Sequence, residues 1–492
     1  MTDSYNLSAM VAMKNNCSHV IADYAKMKRI ARKFYQQRQW ELSLQTIFIA
    51  SGFMYTMNQI QCDRELEDLV CEIVAQNLIP TDWQAPAGNT IIYYDGLGQI
   101  GRGLTYIYMN ALVHLGYQVK YITYEANQHV HAVAADIVGE ANVWYITGTT
   151  YLEQIKQLNM LLADSQAHAV FLHLGPDDVV AVGGFSHCPT TLKRYLINLT
   201  DHAFWLGTNI ADMVINFREF GWKVCMERRG FQPERLLYLP YYPKKTDSVF
   251  EGLPFQNLSD KLIFSGGALY KTESQDNGYY RLVESILDTC SHVNFLYLGN
   301  GDTRRLRKLQ HRYPGRVACA PERRDFFEIM KHCTLYLSTY PYNGGLMTQY
   351  ALLAGKIPVT WIHPGIESEL TLCHEESCWN YATMQECLEE VKRLLENDSY
   401  RLEREQNLRR FLIDELQFEQ ELQHILQTGK SVRVPKDKMI AFDGFQILPL
   451  ENIQGFKYRR LFFRRHGLYM FRFFPLKYVS GMLEAMFQKL IK

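Results

Sequence analysis

No Cys-x-x-Cys pair occurs among the 11 cysteines, and no His/Cys spacing of the zinc-site kind accompanies them. A disulfide framework and a structural metal are therefore not expected, and reduced thiols fit a cytoplasmic protein. An excess of one charge is lacking too, since 52 Lys and Arg face 52 Asp and Glu. That balance removes any global argument for nucleic-acid binding and sends the search for an electrostatic partner to local patches. No apolar run of about 18 residues appears, so a spanning helix is not expected. Met1 to Ile30 carries Lys14, Asp23, Lys26, Lys28 and Arg29 where a secretory leader needs an apolar stretch and a small-residue cleavage site. An Asp-x-Asp triplet is also missing.

What is present is an ordinary globular composition, 47% hydrophobic over 492 residues. Such a length exceeds one hydrophobic core, and roughly 150 residues per domain predicts two or three. Residues 1–88 read as a helical region: helical periodicity runs from about Val20 to Leu78, with Leu42, Ile47, Ile49 and Phe53 among its apolar residues, a helix start at Asp63, and Pro80 and the 85–88 run as stops. This region reads as packing rather than chemistry. From Asn89 the period changes. β-rich runs at Thr90, Gln118, Val143, Ala169 and Met213 alternate with helical segments, and a second series at Lys261, Asn294, Arg316, Leu335 and Pro358 follows the proline-rich connector Leu236 to Pro243. The pattern predicts an α/β protein of two Rossmann-like domains facing a cleft, residues 89–240 and 241–430, with a tail at 431–492.

Three glycine turns end strands in the second series: Gly266-Gly267 followed by Lys271, Gly299, and Asn343-Gly344-Gly345 opening a helix through Leu346 and Gln349. Side chains are absent where backbone N–H groups and a helix N-terminus could approach a diphosphate, although Gly-Gly alone is also an ordinary tight turn. In the first series, Asp201-His202 precedes the Met213 strand. A carboxylate beside an imidazole suits a general base, and a histidine packed on Phe204 and Trp205 is the alternative. The turn Gly96-x-Gly98-x-x-Gly101 has only Glu125 to serve as a ribose-binding acid, a poor fit to a dehydrogenase.

The segment 335–359 resembles the donor-binding loop and helix of GT-B glycosyltransferases, including O-GlcNAc-transferase-like enzymes and retaining bacterial enzymes with a Glu-x7-Glu pattern. Aligned on Ala354-Gly355, those glutamates fall at Tyr342 and Tyr350, so neither is kept. The resemblance implies donor contacts at Gly266, Gly267, Lys271, Gly299, Asn343, Gly344, Gly345, Leu346 and Gln349, the last either a ribose partner or a plain helical glutamine. It implies catalysis by His202 with Asp201, and phosphate or acceptor contacts at Gly101, Arg102, Gly103 and Arg228. Residues 89–240 would then hold the acceptor and 241–430 the nucleotide sugar. The implied reaction is hexosyl or N-acetylhexosaminyl transfer from a nucleoside diphosphate sugar, a UDP-sugar by expectation, to a hydroxyl of a glycan or lipid-linked glycan of capsule or lipopolysaccharide, with no metal and no bound cofactor. A nucleotide-sugar epimerase on the same fold and a non-catalytic partner subunit are the alternatives.

The stretch 456–492 interleaves Arg459, Arg460, Arg464, Arg465 and Arg472 with Phe462, Phe463, Tyr469, Phe471, Phe473 and Phe474, and has Glu484 as its one acid. Such a stretch suits an anionic membrane surface, which would make the protein peripheral at the inner face of the cell membrane. Packing across the fold and RNA binding are the competing readings, and no nucleic-acid partner is expected.

Overall fold

The alternating β-rich and helical runs become two sheets in the computed structural model, which describes residues 3–78, 88–99, 103–244, 248–274, 276–362, 379–435 and 457–474, with Trp83, Ala85 and Pro86. The chain divides into two compact units. The first holds the residues up to Asn216, Gly221–Leu237 and the 457–474 segment, and the second holds Phe217–Phe220 and the described residues from Tyr238 to Pro435.

The first sheet has strands β1 (Thr90–Asp95), β2 (Gln118–Tyr124), β3 (Val143–Ile146), β4 (Ala169–His173), β5 (Lys193–Ile197), β6 (Met213–Asn216) and β7 (Leu236–Tyr238). Their order is β3-β2-β1-β4-β5-β6-β7, and the pairs from β3 through to β6 are parallel. The second sheet, β8 (Lys261–Gly266), β9 (Val293–Leu298), β10 (Val317–Ala320), β11 (Leu335–Leu337), β12 (Pro358–Trp361) and β13 (Asn380–Tyr381), runs β10-β9-β8-β11-β12-β13 and is parallel throughout. Each order reverses once, between β1 and β4 and between β8 and β11. Crevices at strand C-terminal ends form at such switch points.

Strands β1, β4 and β9 are buried along their whole length, as parallel strands covered on both faces must be. β5 escapes the sequence reading because it opens on Lys193 and Arg194, whose charges interrupt an apolar run. Arg194 forks onto the Asp212 carboxylate at 2.7 and 3.1 Å. β7 lies inside the stretch read as connector, where the prolines after it mask three strand residues.

The N-terminal helices Asp3–Gln36, Trp40–Met57 and Arg64–Asn77 share one core with the first sheet. The 457–474 segment joins that core as well. Tyr458, Phe462, Met470, Phe473 and Phe474 are buried, and Phe462 packs on Phe53 with ring centroids 5.0 Å apart. Arg459 and the Tyr458 hydroxyl both donate to Asp23 Oδ2, at 2.7 Å each. The aromatics expected at a membrane are therefore spent on packing against the Asp3–Gln36 and Trp40–Met57 helices, which corrects that half of the tail reading. Among the described residues no helix is long and apolar enough to cross a membrane.

Candidate functional site

In the second unit the glycine turns meet at the β8/β11 switch point. β8 ends at Gly266, and the Gly267 N–H donates to the Leu298 carbonyl at the end of β9, at 2.9 Å. Gly267 has φ +135°, and a Cβ at Gly299 would stand 1.9 Å from the Gly267 carbonyl oxygen, so only glycine fits either position. From β11, the Tyr336 hydroxyl donates to the Gly266 carbonyl at 3.3 Å and lies 3.4 Å from where a Gly344 Cβ would be. Three strand ends are thus held within contact of one another, with bare backbone on their exposed side.

The Gly345–Leu353 helix starts there, capped by Gly344 with no side chain on its first N–H groups. Its free amides and positive dipole end face the loop, an arrangement suited to a phosphate. Asn343, one residue before the cap, has a buried Oδ1 with no hydrogen-bond partner among the described residues. A donor from a ligand would satisfy it. Leu346 is half-buried on the first turn, with its side chain against the Phe264 and Tyr336 cluster.

Lys271 follows the Gly266-Gly267 turn within the short Leu269–Thr272 helix, and its carbonyl accepts the Tyr342 N–H at 3.3 Å. Burial lowers the Lys271 ammonium pKa, and the Arg218 guanidinium of the same unit lowers it further. No carboxylate pairs with Lys271 among the described residues. A buried lysine with a second cation beside it favours an anionic ligand. Arg218 did not stand out in the sequence because it belongs to this site only through the chain excursion Phe217–Phe220.

Gln349, expected either at a ribose or as a plain helical glutamine, is tied to the chain before the second sheet. It is 1% exposed, and Nε2 donates to the Tyr241 carbonyl at 2.8 Å. Of the tyrosines at the glutamate positions, the Tyr350 hydroxyl donates to the Lys244 carbonyl at 2.8 Å, and the Tyr342 ring lies 6.2 Å from Tyr270.

In the first unit, Asp201 and His202 lie on the loop between β5 and β6. Asp201 Oδ1 is 3.2 Å from His202 Nδ1, with the carboxylate side chain 2% exposed and the imidazole 44% exposed. An acid buried against one ring nitrogen leaves the other facing outward. The buried Arg229 guanidinium fixes this loop by donating to the Asp201 and Ala203 carbonyls at 3.0 and 2.6 Å while lying 4.6 Å from the Trp205 ring centroid. Asn58 closes the other side, with Nδ2 on the His202 carbonyl at 3.0 Å and Oδ1 accepting the Phe204 N–H at 3.2 Å. Glu67 then accepts the Gly207, Thr208 and Asn209 N–H groups and the Thr208 hydroxyl at 2.7 to 3.0 Å. The helical region read as mere packing therefore holds the His202 loop.

Of the remaining candidates, Gly103 caps the Leu104–His114 helix at φ +115°, and Arg228 is exposed, with its carbonyl accepting the Cys62 thiol at 3.7 Å. Gly101 and Arg102 lie outside the described residues.

No family model matches the sequence, and no curated protein matches it. Solved structures do. A protein of Listeria monocytogenes assigned as a UDP-N-acetylglucosamine 2-epimerase matches at TM-score 0.50 and 10% identity, over 72% of this chain and 100% of that one. A mutant of the Thermobaculum terrenum O-GlcNAc transferase matches at TM-score 0.49 and 15% identity, over 82% and 83%. The UDP-GlcNAc 2-epimerase of Neisseria meningitidis matches at 0.46 and 9%, over 69% and 99%. The likeness is one of fold, and the fold is GT-B, with two Rossmann-like sheets.

Proposed function

We propose that the chain is a glycosyltransferase that moves a sugar from a nucleoside diphosphate sugar to a hydroxyl of a glycan or lipid-linked glycan in surface polysaccharide synthesis. The observation that carries the reading is the diphosphate cradle of the second unit, where three glycine turns, a bare helix N-terminus, Lys271 and Arg218 converge. A diphosphate leaving group gains negative charge as the bond from the sugar C1 to phosphate oxygen breaks. Fixed N–H dipoles and a cation offset that charge without a metal. The acceptor oxygen forms the new bond to C1 and gives up its proton to a general base, for which the first unit offers His202, 3.2 Å from the Asp201 carboxylate. Gly103 and Arg228 remain proposed acceptor or phosphate contacts. The protein works in the cytoplasm at the inner membrane face, attached by charge: Arg464 and Arg472 are exposed beside Leu468, which is 73% exposed.

UDP-N-acetylglucosamine is the first donor to try, since the Listeria relative in fold is assigned to that compound. An epimerase reading has the same cradle behind it, but acts without an acceptor. Incubation of the full chain with UDP-sugars separates the two: transfer releases UDP only when an acceptor glycan is added, and epimerisation yields an isomeric UDP-sugar without one. Calorimetry with UDP tests the cradle itself. Lys271→Ala should weaken binding by roughly ten- to a hundredfold, the usual cost of a charged hydrogen bond. Because burial lowers the Lys271 pKa, wild-type affinity should fall with rising pH before the ordinary lysine range is reached, while Lys271→Arg should keep it. Unchanged UDP affinity in a folded Lys271→Ala variant removes the lysine from the site.

A further inference from the structure

The first sheet has a switch point of its own, between β1 and β4, and a cavity of about 540 Å³ opens there, lined within the first unit alone. Its volume is in the range of small-molecule sites. Gly96 follows β1, Gly175, Asp177 and Asp178 follow β4, and the Trp40–Met57 helix supplies Glu41, Gln45 and Phe48.

The carboxylates in this cavity have different duties. Asp178 is already engaged: it accepts the Tyr94 and Tyr124 hydroxyls at 2.8 and 2.7 Å and the Ala181 N–H at 2.9 Å. Glu41 caps the Tyr151–Ser165 helix, accepting the Tyr151 and Leu152 N–H groups at 2.9 and 2.8 Å, and keeps one lone pair on each oxygen. Asp177 receives no hydrogen bond from another residue's side chain among the described residues. Burial, together with the neighbouring Asp178, pushes its carboxyl up to about 7, while Arg465 acts in the opposite direction. Near neutrality such a group both donates and accepts. The fold makes room for it: Gly52 interrupts the Trp40–Met57 helix at a cost of about 1 kcal/mol relative to alanine, and a Cβ there would stand 3.0 Å from Asp177 Oδ2.

The rest of the lining narrows the occupant. Three acids line the cavity and no Lys or Arg does among the described residues; Arg465 acts on Asp177 from outside the lining, so one cation faces three acids, a balance that disfavours an anion. Phe48 and Tyr151, with ring centroids 6.1 Å apart, give the lining an aromatic part, and Gln45 and Thr149 add amide and hydroxyl groups. An aromatic part together with hydroxyl acceptors matches a polyhydroxylated ring, with an apolar face and hydroxyls along its rim.

We propose that this cavity binds one ring of an uncharged or amine-bearing glycan, with Asp177 and Gln45 hydrogen-bonding its hydroxyls. The proposal rests on the cavity, not on the nucleotide reading, and UDP titration of the same samples keeps their failures apart.

The test is ligand-observed saturation-transfer NMR on the full chain with glucose, glucosamine, N-acetylglucosamine and glucose 6-phosphate. Transfer to at least one uncharged or amine-bearing sugar is expected, with little to the phosphate. Asp177→Asn and Gln45→Ala should each weaken it by about tenfold. Gln45 is half-buried at the cavity wall, so its variant keeps the fold even if Asp177→Asn does not. Absence of transfer to every sugar, equal transfer to the phosphate, or signals unchanged in a folded Gln45→Ala variant together with a folded Asp177→Asn variant would overturn the proposal.

Discussion

A half-exposed imidazole beside a buried carboxylate is worth little unless its backbone is held, and His202 is held from three directions by Arg229, Asn58 and Asp201. Were His202 the base, His202→Ala would lower turnover by roughly 10²- to 10⁴-fold while leaving UDP affinity alone. Steady-state rates and calorimetry on the same preparation check this, and near-normal turnover would return the residue to packing. Asp201-His202 could be singled out in the sequence because the pair is adjacent in the chain. Arg229 could not be told from Arg228 by pattern: one is buried over Trp205 and the other is exposed, a difference made by tertiary packing alone. The surroundings of Gln349 were hidden for the same reason, since its Nε2 donates to the Tyr241 carbonyl from about a hundred residues upstream.

Turns and helices show where local signals suffice. Gly266-Gly267, Gly299 and Gly344-Gly345 were legible because a glycine turn at a strand end is chemistry of a few neighbouring residues. The role of the N-terminal helices was not, since Asn58 and Glu67 act on a loop some 140 positions later. Asn58→Ala leaves the His202 carbonyl and the Phe204 N–H without their partners, a loss of about 1–3 kcal/mol. Thermal unfolding should report that loss, and kcat should fall with UDP affinity unchanged, because the cradle belongs to the other unit. A variant equally stable and active would show that the helical region does not position the loop.

For the whole molecule, the alternation of strands and helices announced two parallel sheets, and the hidden part was where the 457–474 segment goes. Deleting everything after residue 456 removes, among the described residues, five buried apolar side chains and the buried Arg459. Truncating one such residue to alanine commonly costs about 2–5 kcal/mol, against a total stability of about 5–15. The first unit should therefore unfold, as seen by hydrogen exchange, rather than be released intact from a membrane. The charge-based attachment is better tested by Arg464→Glu, an exposed position that spares the buried side chains. Co-sedimentation with anionic vesicles should drop in that variant, and in wild type should weaken with salt as the Debye length shrinks from about 10 Å at 0.1 M to about 3 Å at 1 M. The same packing sets a timetable. The first unit's sheet is complete once Tyr238 has left the ribosome, yet the aromatic side chains that cover Phe53 come about 220 residues later, roughly ten to forty seconds at ordinary synthesis rates. Throughout that interval the nascent chain carries an uncovered apolar helix face while the second unit is being made, so a chaperone engaged during translation should be found on the Trp40–Met57 helix, and it should leave only when Phe462 arrives.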